Sequence, residues 1–456
     1  MAAKVADVAI MDIGSTVTRV SAFSGLGSSR PRFLGQGYSP TTADIVSGVD
    51  AAFSSLSASA GISREASGEL RACSTAGGAL RVVFCGTAYS STVRLAHEVA
   101  GGSGVQSRLL LTGALTLGDI AAIKNAHPNV IVLTSGPATG EVMTVVHNAE
   151  LLTRQGMSCT AICAAGKDAW EKMAPVLLAG GIDALRVDEG ESPFERRDGL
   201  PQVDAVRIHG LLKGMFEKHC VDAPGLGPVQ AFVSKGIVPS PSALKAIAGH
   251  LSPQTGDLVI VDIGGSLACV CSSLGSKPGT GQSGAGLVQC DVQGDLGIVA
   301  NSREIVERAG ITHVREVTGV DPLPLLGQAG KITETKAGTE LCSLLSEEST
   351  RWALKRHAGR SGQGQGRSGP TAVATGRDLT RVKYVFGTGG GLVRVPGGEN
   401  ALENAVAARA AGELLPSRAA IRLDRHCILT ACGVLSEDFP VEATKIALES
   451  LGVRPW

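Results

Sequence analysis

The stretch "AIMDIGSTVTRVSAF" (residues 9–23) decides the fold, because it joins a buried strand to a returning strand through a tight turn. An apolar run ends at Asp12, the turn follows as "GST" (14–16), and side chains of alternating polarity resume at Thr18. This alternation predicts two paired strands. Glycine after a strand suits any tight hairpin, so the stretch by itself leaves two interpretations open: an ordinary hairpin, or a turn that grips phosphate.

A second stretch repeats the design in the carboxyl-terminal half. "DLVIVDIGGSLACVCSS" (257–273) again has an apolar strand that ends in Asp-Ile-Gly, a turn of small residues and a returning strand. A third glycine turn follows a strand in "YVFGTGGGLVRVPGG" (384–398). Two facing hairpins can offer backbone N–H groups to a polyphosphate, with Asp12 and Asp262 holding Mg²⁺ through water. The third turn can then accept the nucleoside.

These three turns, in this order, are typical of the actin, Hsp70 and sugar-kinase superfamily. The predicted fold class is therefore α/β, an actin-like ATPase in which two ribonuclease H-like lobes surround a nucleotide cleft. From about residue 80 apolar runs alternate with amphipathic helical stretches, which predicts an additional α/β middle segment with parallel strands. We expect four parts: the first part of the amino-terminal lobe (1–79), the middle segment (80–200), a helical connection (201–255), and the carboxyl-terminal lobe (256–456), with a flexible loop near 358–370.

Composition narrows the function further. The chain of 456 residues is 43% hydrophobic and 18% charged, which is typical of a globular protein of several domains. Lysine plus arginine equals aspartate plus glutamate, at 42 each, and only 3% of residues are aromatic, so neither nucleic acid nor an anionic membrane is an expected partner. No signal-peptide pattern and no run of about 18 apolar residues is present, so we expect a cytoplasmic protein.

The eleven cysteines and nine histidines show no metal-binding spacing, neither a C-x-x-C pair nor a partnered histidine pair. We interpret most cysteines as small buried apolar residues in a reducing compartment, with no metal or disulfide role. No nucleophile, base and orienting carboxylate lie together in the sequence, which disfavours a Ser-His-Asp hydrolase.

Over nearly its whole length the chain resembles the MutL family of glutamate (methylaspartate) mutase accessory proteins, the GlmL type. Besides the hairpins, the resemblance rests on segments spread along the chain: "CSTAGGALRVV" (73–83), "VPSPSALKAIA" (238–248), "QGDLGIVAN" (293–301), "LKRHAGR" (354–360), "YVFGTGGGLVR" (384–394) and "LLPSRAAIRLDRHCILTACGVLSEDFPVEA" (414–443). It implies an ATP-dependent, chaperone-like factor that reactivates or assembles a coenzyme B12-dependent mutase. The implied cofactor is ATP or ADP with Mg²⁺, without directly bound cobalamin.

The resemblance also implies the site residues. Asp12 and Asp262 would position Mg²⁺ and water, and the three turns would bind the nucleotide through Gly14, Ser15, Thr16, Gly264, Gly265, Ser266, Gly387, Thr388, Gly389 and Gly390. The second turn departs from the family pattern, because "LAC" (267–269) stands where two threonines and an aspartate are expected. Nucleotide binding can survive this change, whereas hydrolysis would be slow or lost.

Two other functions stay open for this fold. A small-molecule kinase would need a carboxylate general base beside the γ-phosphate, and a non-hydrolysing scaffold would only hold mutase subunits. Three further residues are ambiguous. Asp295 either lines the cleft or forms a turn, His357 is expected to cap a helix rather than catalyse, and Asp424 is a candidate N-cap.

Overall fold

The computed structural model describes residues 5–136, 138–187, 194–197, 200–203, 205–275, 287–326, 335–366 and 369–454. The chain forms two compact units, one of Met1–Gly78 with Lys218–Trp456 and one of Ala79–Glu217. The sequence places the start of the middle segment at residue 80 and its end at residue 200, whereas the second unit continues to Glu217. Among the described residues, no helix combines the length and the apolarity that crossing a bilayer requires.

The first unit begins with three antiparallel strands, a helix and a fourth strand: β1 (Ala6–Ile13), β2 (Val17–Ser24), β3 (Arg32–Pro40), α1 (Ile45–Ala60) and β4 (Ser67–Ser74). Strand β1 pairs antiparallel with β2 and parallel with β4, and β2 pairs with β3. Asp44 caps α1 by accepting the backbone N–H of Ser47, and Gly61 ends it in the left-handed conformation.

The second unit alternates strands and helices, as the sequence predicts. After a short π-helical turn that follows its first strand, it contains β5 (Leu80–Gly86), α2 (Arg94–Val99), β6 (Val105–Thr112), α3 (Leu117–Ala126), β7 (Val130–Thr134), α4 (Thr139–Arg154), β8 (Thr160–Ala164), α5 (Lys167–Ala179), β9 (Asp183–Arg186), β10 (Phe194–Arg197), β11 (Leu200–Val203) and α6 (Ala205–Val221), which contains the boundary. Five parallel strands form its sheet in the order β6-β5-β7-β8-β9, and β10 and β11 form a separate hairpin. This strand order is that of doubly wound α/β folds.

The first unit resumes after α6 and contains a second sheet. Its elements are α7 (Gly227–Gln230), β12 (Val238–Pro239), α8 (Ser240–Thr255), β13 (Leu258–Ile263), β14 (Ala268–Leu274), β15 (Leu287–Gln293), α9 (Ser302–Ala309), α10 (Ile311–Thr318), α11 (Pro322–Leu326), α12 (Lys336–His357), β16 (Arg360–Gly366), β17 (Gly369–Thr375), β18 (Tyr384–Thr388), α13 (Gly390–Val393), α14 (Gly398–Ala407), β19 (Ala420–Leu423), α15 (Leu429–Leu435) and α16 (Pro440–Leu451).

The two large sheets of the first unit have the same topology. The strand order is β3-β2-β1-β4-β12 in one and β15-β14-β13-β18-β19 in the other. In each, the first three strands form an antiparallel meander and two later strands run parallel to the first. This duplicated arrangement is that of two ribonuclease H-like lobes, and it confirms the predicted actin-like fold class.

Helices α8 and α15 connect the two sheets. Helix α8 follows the first sheet but packs on β13, β14 and β15, whereas α15 follows the second sheet but packs on β1 and β4. The two helices also pack against each other. A Cβ at Gly433 would lie 1.9 Å from the carbonyl oxygen of Ala243, so this close approach requires glycine. Each helix therefore ties one sheet to the other.

Side chains along β1 and β13 point alternately toward the hydrophobic core and away from it. Met11 and Ile13 belong to the core beneath α1, and Val261 and Ile263 belong to the core beneath α12. Because successive side chains of a strand point to opposite faces, the residue between each pair points away from its core. Those two residues are the aspartates of the Asp-Ile-Gly motifs.

Two features differ from the expectations of the sequence. The flexible loop expected near 358–370 is largely strand β16, which pairs antiparallel with β17, while residues 367 and 368 lie outside the described residues. Backbone bonds hold the base of this hairpin, since Gly359 N donates to Arg377 O at 2.7 Å and Ser361 N donates to Gly412 O at 2.7 Å. A disulfide also joins Cys271 and Cys290, which the cysteine spacing does not predict because the partners lie on different strands.

His357 anchors the last turn of α12 to the second sheet instead of capping the helix. Its Nδ1 lies 2.8 Å from Asp291 Oδ2 and its Nε2 lies 2.8 Å from Ser272 Oγ. Arg377 adds two further bonds to Asp291, at 2.6 and 2.8 Å. Asp291, His357 and Ser272 are linked as the residues of a hydrolase triad are. Ser272 is fully buried, however, so its hydroxyl cannot meet a substrate. The arrangement is structural.

Replacing His357 with alanine is expected to lower the free energy of unfolding by about 2–4 kcal/mol, because a cavity forms and Ser272 loses a buried partner. Burial lowers the pKa of His357, although Asp291 opposes the effect. The unfolded chain therefore binds a proton that the folded chain does not, and this contribution to stability is present above about pH 6.5 and is lost as the pH falls.

Thermal and urea unfolding between pH 5 and 8 would test this assignment. His313→Ala, at an exposed position of the same lobe, is the control and should change stability little. A difference between wild type and His357→Ala that does not change with pH would contradict the titration of His357.

Candidate active site

The first two glycine turns have the same local structure. Gly14 N donates to Val17 O at 3.0 Å, and Gly264 N donates to Leu267 O at 3.0 Å. A Cβ at Gly14 would lie 2.8 Å from the Val17 oxygen, so a larger residue would push the turn open. Each turn therefore closes a hairpin at the end of the strand that carries an Asp-Ile-Gly motif.

The fold brings the two turns into direct contact. Ser15 Oγ donates to Ser266 Oγ at 2.5 Å. A Cβ at Gly265 would lie 2.5 Å from Thr16 Oγ1, so the backbone of the second turn approaches the first as closely as glycine permits. The residues predicted from both turns therefore meet at one place, as a shared phosphate site requires.

The third turn packs against Asp262 and Ile263, the last two residues of β13. Gly389 has φ +83°, and a Cβ there would lie 2.1 Å from Asp262 Oδ1, whereas a Cβ at Gly390 would meet nothing within 4 Å. Gly387 faces packed leucine side chains, and the hydroxyl of Thr388 donates to Asp424 at 2.9 Å. Gly389 and Gly390 thus border the site, while Gly387 and Thr388 support the turn from behind.

A cavity of about 460 Å³ lies where the three turns converge. Most of the predicted binding residues line it: Asp12, Gly14, Ser15, Thr16, Asp262, Gly264, Gly265, Ser266, Gly389 and Gly390. Residues that the sequence analysis did not select also line it, among them Arg19, Tyr38, Ser240, Cys269 and Arg394. The volume lies in the range of small-molecule and cofactor sites.

Arg19 is the main charged residue that sequence reasoning missed. It lies directly opposite Asp12 in the β1–β2 pair, and its Nη2 donates to Asp12 Oδ2 at 2.7 Å. Its Nη1 donates to Cys427 Sγ. Burial acts to lower the pKa of Arg19, but Cys427, Asp12 and Asp262 together raise it, so the guanidinium stays charged. The sequence did contain a signal for this residue, because Arg19 is the one charged side chain in β2, "VTRVSAFS".

The two aspartates have different surroundings. Asp12 Oδ1 accepts a bond from Ser240 Oγ at 3.2 Å and lies 3.4 Å from Cys73 Sγ, so both of its oxygens have partners. Burial raises the pKa of Asp262 to about 6, opposed by Arg19 and reinforced by Asp12 and Asp424. The motif is the same in both strands, but Arg19 forms its ion pair with only one of the two carboxylates.

The donor set fits a hydrated divalent cation beside Asp262. A bound cation stabilises the ionised form of a carboxylate whose pKa is raised by burial. Mg²⁺ prefers carboxylate oxygens and retains water ligands. Asp12 is already neutralised by Arg19, so it would act through water. Leu267 and Cys269 line the cavity near the second turn and offer no hard oxygen ligand.

One end of the cavity suits an aromatic ring. Tyr38 and Arg394 both line it, with the Arg394 guanidinium carbon 5.3 Å from the Tyr38 ring centroid. Ile298, Val299 and Val395 supply apolar surface at the wall. A flat heteroaromatic base can stack on such a tyrosine and arginine pair.

The ambiguous acidic residues are both engaged elsewhere. Asp295 binds Arg356 at 2.6 and 2.8 Å and Arg308 at 2.9 Å, and it does not line the cavity. Asp424 is fully buried and accepts bonds from Thr388 and, at 2.8 Å, from the backbone N–H of Leu429, the first residue of α15. The N-cap of α15 is Ile428 and not Asp424 as predicted, but the Asp424 carboxylate still binds the first residue of the helix and the third turn.

Comparisons with known proteins give one family. The family model described as "MutL protein" matches residues 8–451. "Protein MutL" from Clostridium tetanomorphum is 26% identical over 458 residues, covering 96% of this chain and 97% of that protein.

Solved structures are more distant. A glycerol dehydratase reactivase is 10% identical, with a TM-score of 0.33 and coverage of 94% of this chain and 99% of that chain. The activator of the 2-hydroxyisocaproyl-CoA dehydratase from Clostridium difficile, with bound ADPNP, is 10% identical, with a TM-score of 0.30 and coverage of 98% and 97%.

Gly389→Ala is expected to destabilise the protein by about 1–3 kcal/mol and to displace the Asp262 carboxylate, because the new Cβ meets Oδ1 and the positive φ disfavours alanine. Gly390→Ala is the matched control, since its Cβ enters open space. Thermal unfolding of the two variants measures the difference. Equal midpoints would show that the third turn does not press against Asp262 in solution.

Proposed function

The chain belongs to the MutL family, and we propose that it is a nucleotide-binding, chaperone-like accessory factor for a coenzyme B12-dependent mutase such as glutamate mutase. In this proposal it is an ATP-dependent reactivase or assembly factor. The family resemblance supports the mutase as the partner. The proposal places the protein in the cytoplasm, with mutase subunits rather than nucleic acid or membrane as its partners.

The observation that carries the proposal is the convergence of three glycine turns on one cavity. Their backbone N–H groups and the hydroxyls of Ser15, Thr16 and Ser266 are suited to phosphate oxygens. Arg19 supplies a fixed positive charge in the cavity wall, and Tyr38 with Arg394 would receive the base. This combination favours a nucleoside di- or triphosphate over an uncharged metabolite.

The two aspartates would have different roles toward Mg-ATP. Asp262 would hold Mg²⁺, which would neutralise phosphate charge in the site. Asp12, oriented by Arg19 and Ser240, would hold a water molecule for attack on the terminal phosphate. Because Leu267, Ala268 and Cys269 provide no second oxygen ligand at the second turn, hydrolysis is expected to be weak.

Movement at the site would reach the partner through the connecting helices. Helix α8 begins at Ser240, which binds Asp12, and α15 begins at Leu429, which binds Asp424 behind the third turn. Both helices pack on the opposite sheet. A change in the spacing of the phosphate turns on nucleotide binding or release would therefore shift the two lobes together with these helices.

A non-hydrolysing scaffold is the second candidate. The apolar residues Leu267 and Ala268 and the thiol of Cys269 favour it, because they occupy the turn where a hydrolase needs polar ligands. In that case ATP would stabilise the closed lobes and hold mutase subunits without turnover.

The function is tested by mixing the purified protein with a B12-dependent glutamate mutase inactivated by turnover, then measuring phosphate release and recovered mutase activity. The proposal predicts ATP-dependent recovery and a slow phosphate release that the mutase stimulates. Asp12→Asn should lower stimulated release by at least about tenfold, since the carboxylate that orients water is lost. Asp7→Asn, at an exposed position of the same strand, should behave as wild type.

The other results each identify an alternative. Tight ATP binding without phosphate release, with or without mutase, would favour the scaffold. Transfer of phosphate to a metabolite would favour a kinase. A protein that does not bind ATP with Mg²⁺ in calorimetry would refute the nucleotide site itself.

The raised pKa of Asp262 predicts a pH-dependent contribution of Mg²⁺ to ATP binding. Above about pH 6 the carboxylate is ionised and can hold the cation, and below that pH it is protonated. The gain in ATP affinity that Mg²⁺ gives is expected to fall about tenfold between pH 7 and pH 5. Calorimetric titrations with and without Mg²⁺ would measure it.

Asp262→Asn is expected to abolish the Mg²⁺ gain at every pH. Asp321→Asn, at an exposed position outside the cavity, is the control and should retain the wild-type pH dependence. A Mg²⁺ gain that is the same at pH 5 and pH 7 in the wild type would show that Asp262 does not bind the cation.

A further inference from the structure

Three cysteines from two adjacent strands lie side by side behind the second phosphate turn. Cys269 and Cys271 are two residues apart on β14, so their side chains point to the same face of the sheet. Cys290 lies directly opposite Cys271 on β15, and a disulfide joins these two residues. Cys269 Sγ lies 3.1 Å from Cys290 Sγ and 3.9 Å from Cys271 Sγ.

The surroundings favour uncharged sulfur. All three residues are buried, with Cys269 only 1% exposed, and Cys290 Sγ lies 3.8 Å from the carbonyl oxygen of Pro241 at the start of α8. Burial raises the energy of a thiolate relative to a thiol or a disulfide. Three thiolates gathered around a metal ion would place net negative charge in this buried site, whereas a disulfide beside a thiol carries none.

We propose that the three cysteines form a thiol–disulfide exchange site in which Cys290 is the shared partner. The Cys269 side chain first rotates to bring its Sγ in line with the Cys271–Cys290 bond. Its thiolate then attacks Cys290 Sγ, a Cys269–Cys290 bond forms, the Cys271–Cys290 bond breaks, and Cys271 leaves as a thiolate. The proton lost by Cys269 is taken up by Cys271, and because burial keeps the thiolate a minor species, the exchange is slow. Exchange therefore needs no external oxidant, and full reduction needs a dithiol, which is oxidised to its own disulfide.

Exchange would alter the wall of the cavity. Cys269 lines the cavity and is paired in register with Asp262, whereas Cys271 lies one pleat further along the strand and does not line it. With the disulfide at Cys271, the cavity wall presents a thiol. With the disulfide at Cys269, the cavity wall presents a disulfide sulfur tied to β15. The exchange involves only the three sulfur atoms and does not depend on which ligand occupies the cavity.

The experiment maps the disulfides in the folded protein. The full chain is reduced with dithiothreitol, reoxidised with oxidised glutathione, unfolded in guanidinium chloride that contains iodoacetamide so that buried free thiols are also alkylated, and digested. Tandem mass spectrometry then separates Cys269 from Cys271 by cleavage around Val270. The wild type is expected to give the Cys271–Cys290 bond together with a smaller amount of Cys269–Cys290, and this measurement needs no variant to fold.

Variants identify the shared partner. Cys271→Ser is expected to form Cys269–Cys290, with loss of alkylation at both residues, and Cys269→Ser is expected to keep only Cys271–Cys290. Cys290→Ser is expected to leave Cys269 and Cys271 fully alkylated. Cys432→Ser, at a buried cysteine of α15, is the control and should give the wild-type pattern.

Three outcomes would overturn the proposal. The first is complete alkylation of Cys269 and Cys290 in folded Cys271→Ser, and the second is a Cys269–Cys271 bond in Cys290→Ser. The third is zinc or copper bound stoichiometrically to the reduced wild type and lost in Cys290→Ser, which would show a metal–thiolate site instead.

Discussion

The ion pair between Arg19 and Asp12 forms part of the cavity wall, and the candidate site depends on it. Arg19 also donates to Cys427, which follows the last strand of the second sheet, so one guanidinium joins both lobes beneath the phosphate turns. A buried ion pair of this kind contributes little net stability, but loss of either partner leaves the other charge buried and unpaired. Its main effect is to hold the Asp12 carboxylate in place.

The two lobes repeat a backbone but differ in chemistry. In the β1–β2 hairpin Asp12 faces Arg19, and at the same register in β13–β14 Asp262 faces Cys269. In the first half of the cavity, Arg19 therefore neutralises the charge of Asp12. In the second half, Asp262 has a raised pKa and lies beside a group of cysteines. The duplication supplies the first two glycine turns, and the substitutions within it make the cavity asymmetric.

Local patterns account for most of the fold. The Asp-Ile-Gly hairpins, the alternation in the middle segment and the glycine turn after β18 all form as predicted, because period-two alternation and glycine turns are set by neighbouring residues. The segment near 358–370 pairs with β17, the next strand along the chain, and the base of this hairpin is also held by bonds to the backbone of Arg377 and of the more distant Gly412. Local composition carries no information about such partners.

The sequence by itself determined the fold class, the three glycine turns and the two aspartates at the ends of their strands, since each follows from strand periodicity and turn chemistry within a few residues. Only the tertiary structure decided which aspartate Arg19 neutralises, that His357 binds Asp291 and Ser272, and that Cys269 lies between the cavity and a disulfide. The physical reason is the same in each case. Charge compensation, burial and sulfur contact depend on distances between side chains from different strands, and those distances exist only after the sheets have formed and packed.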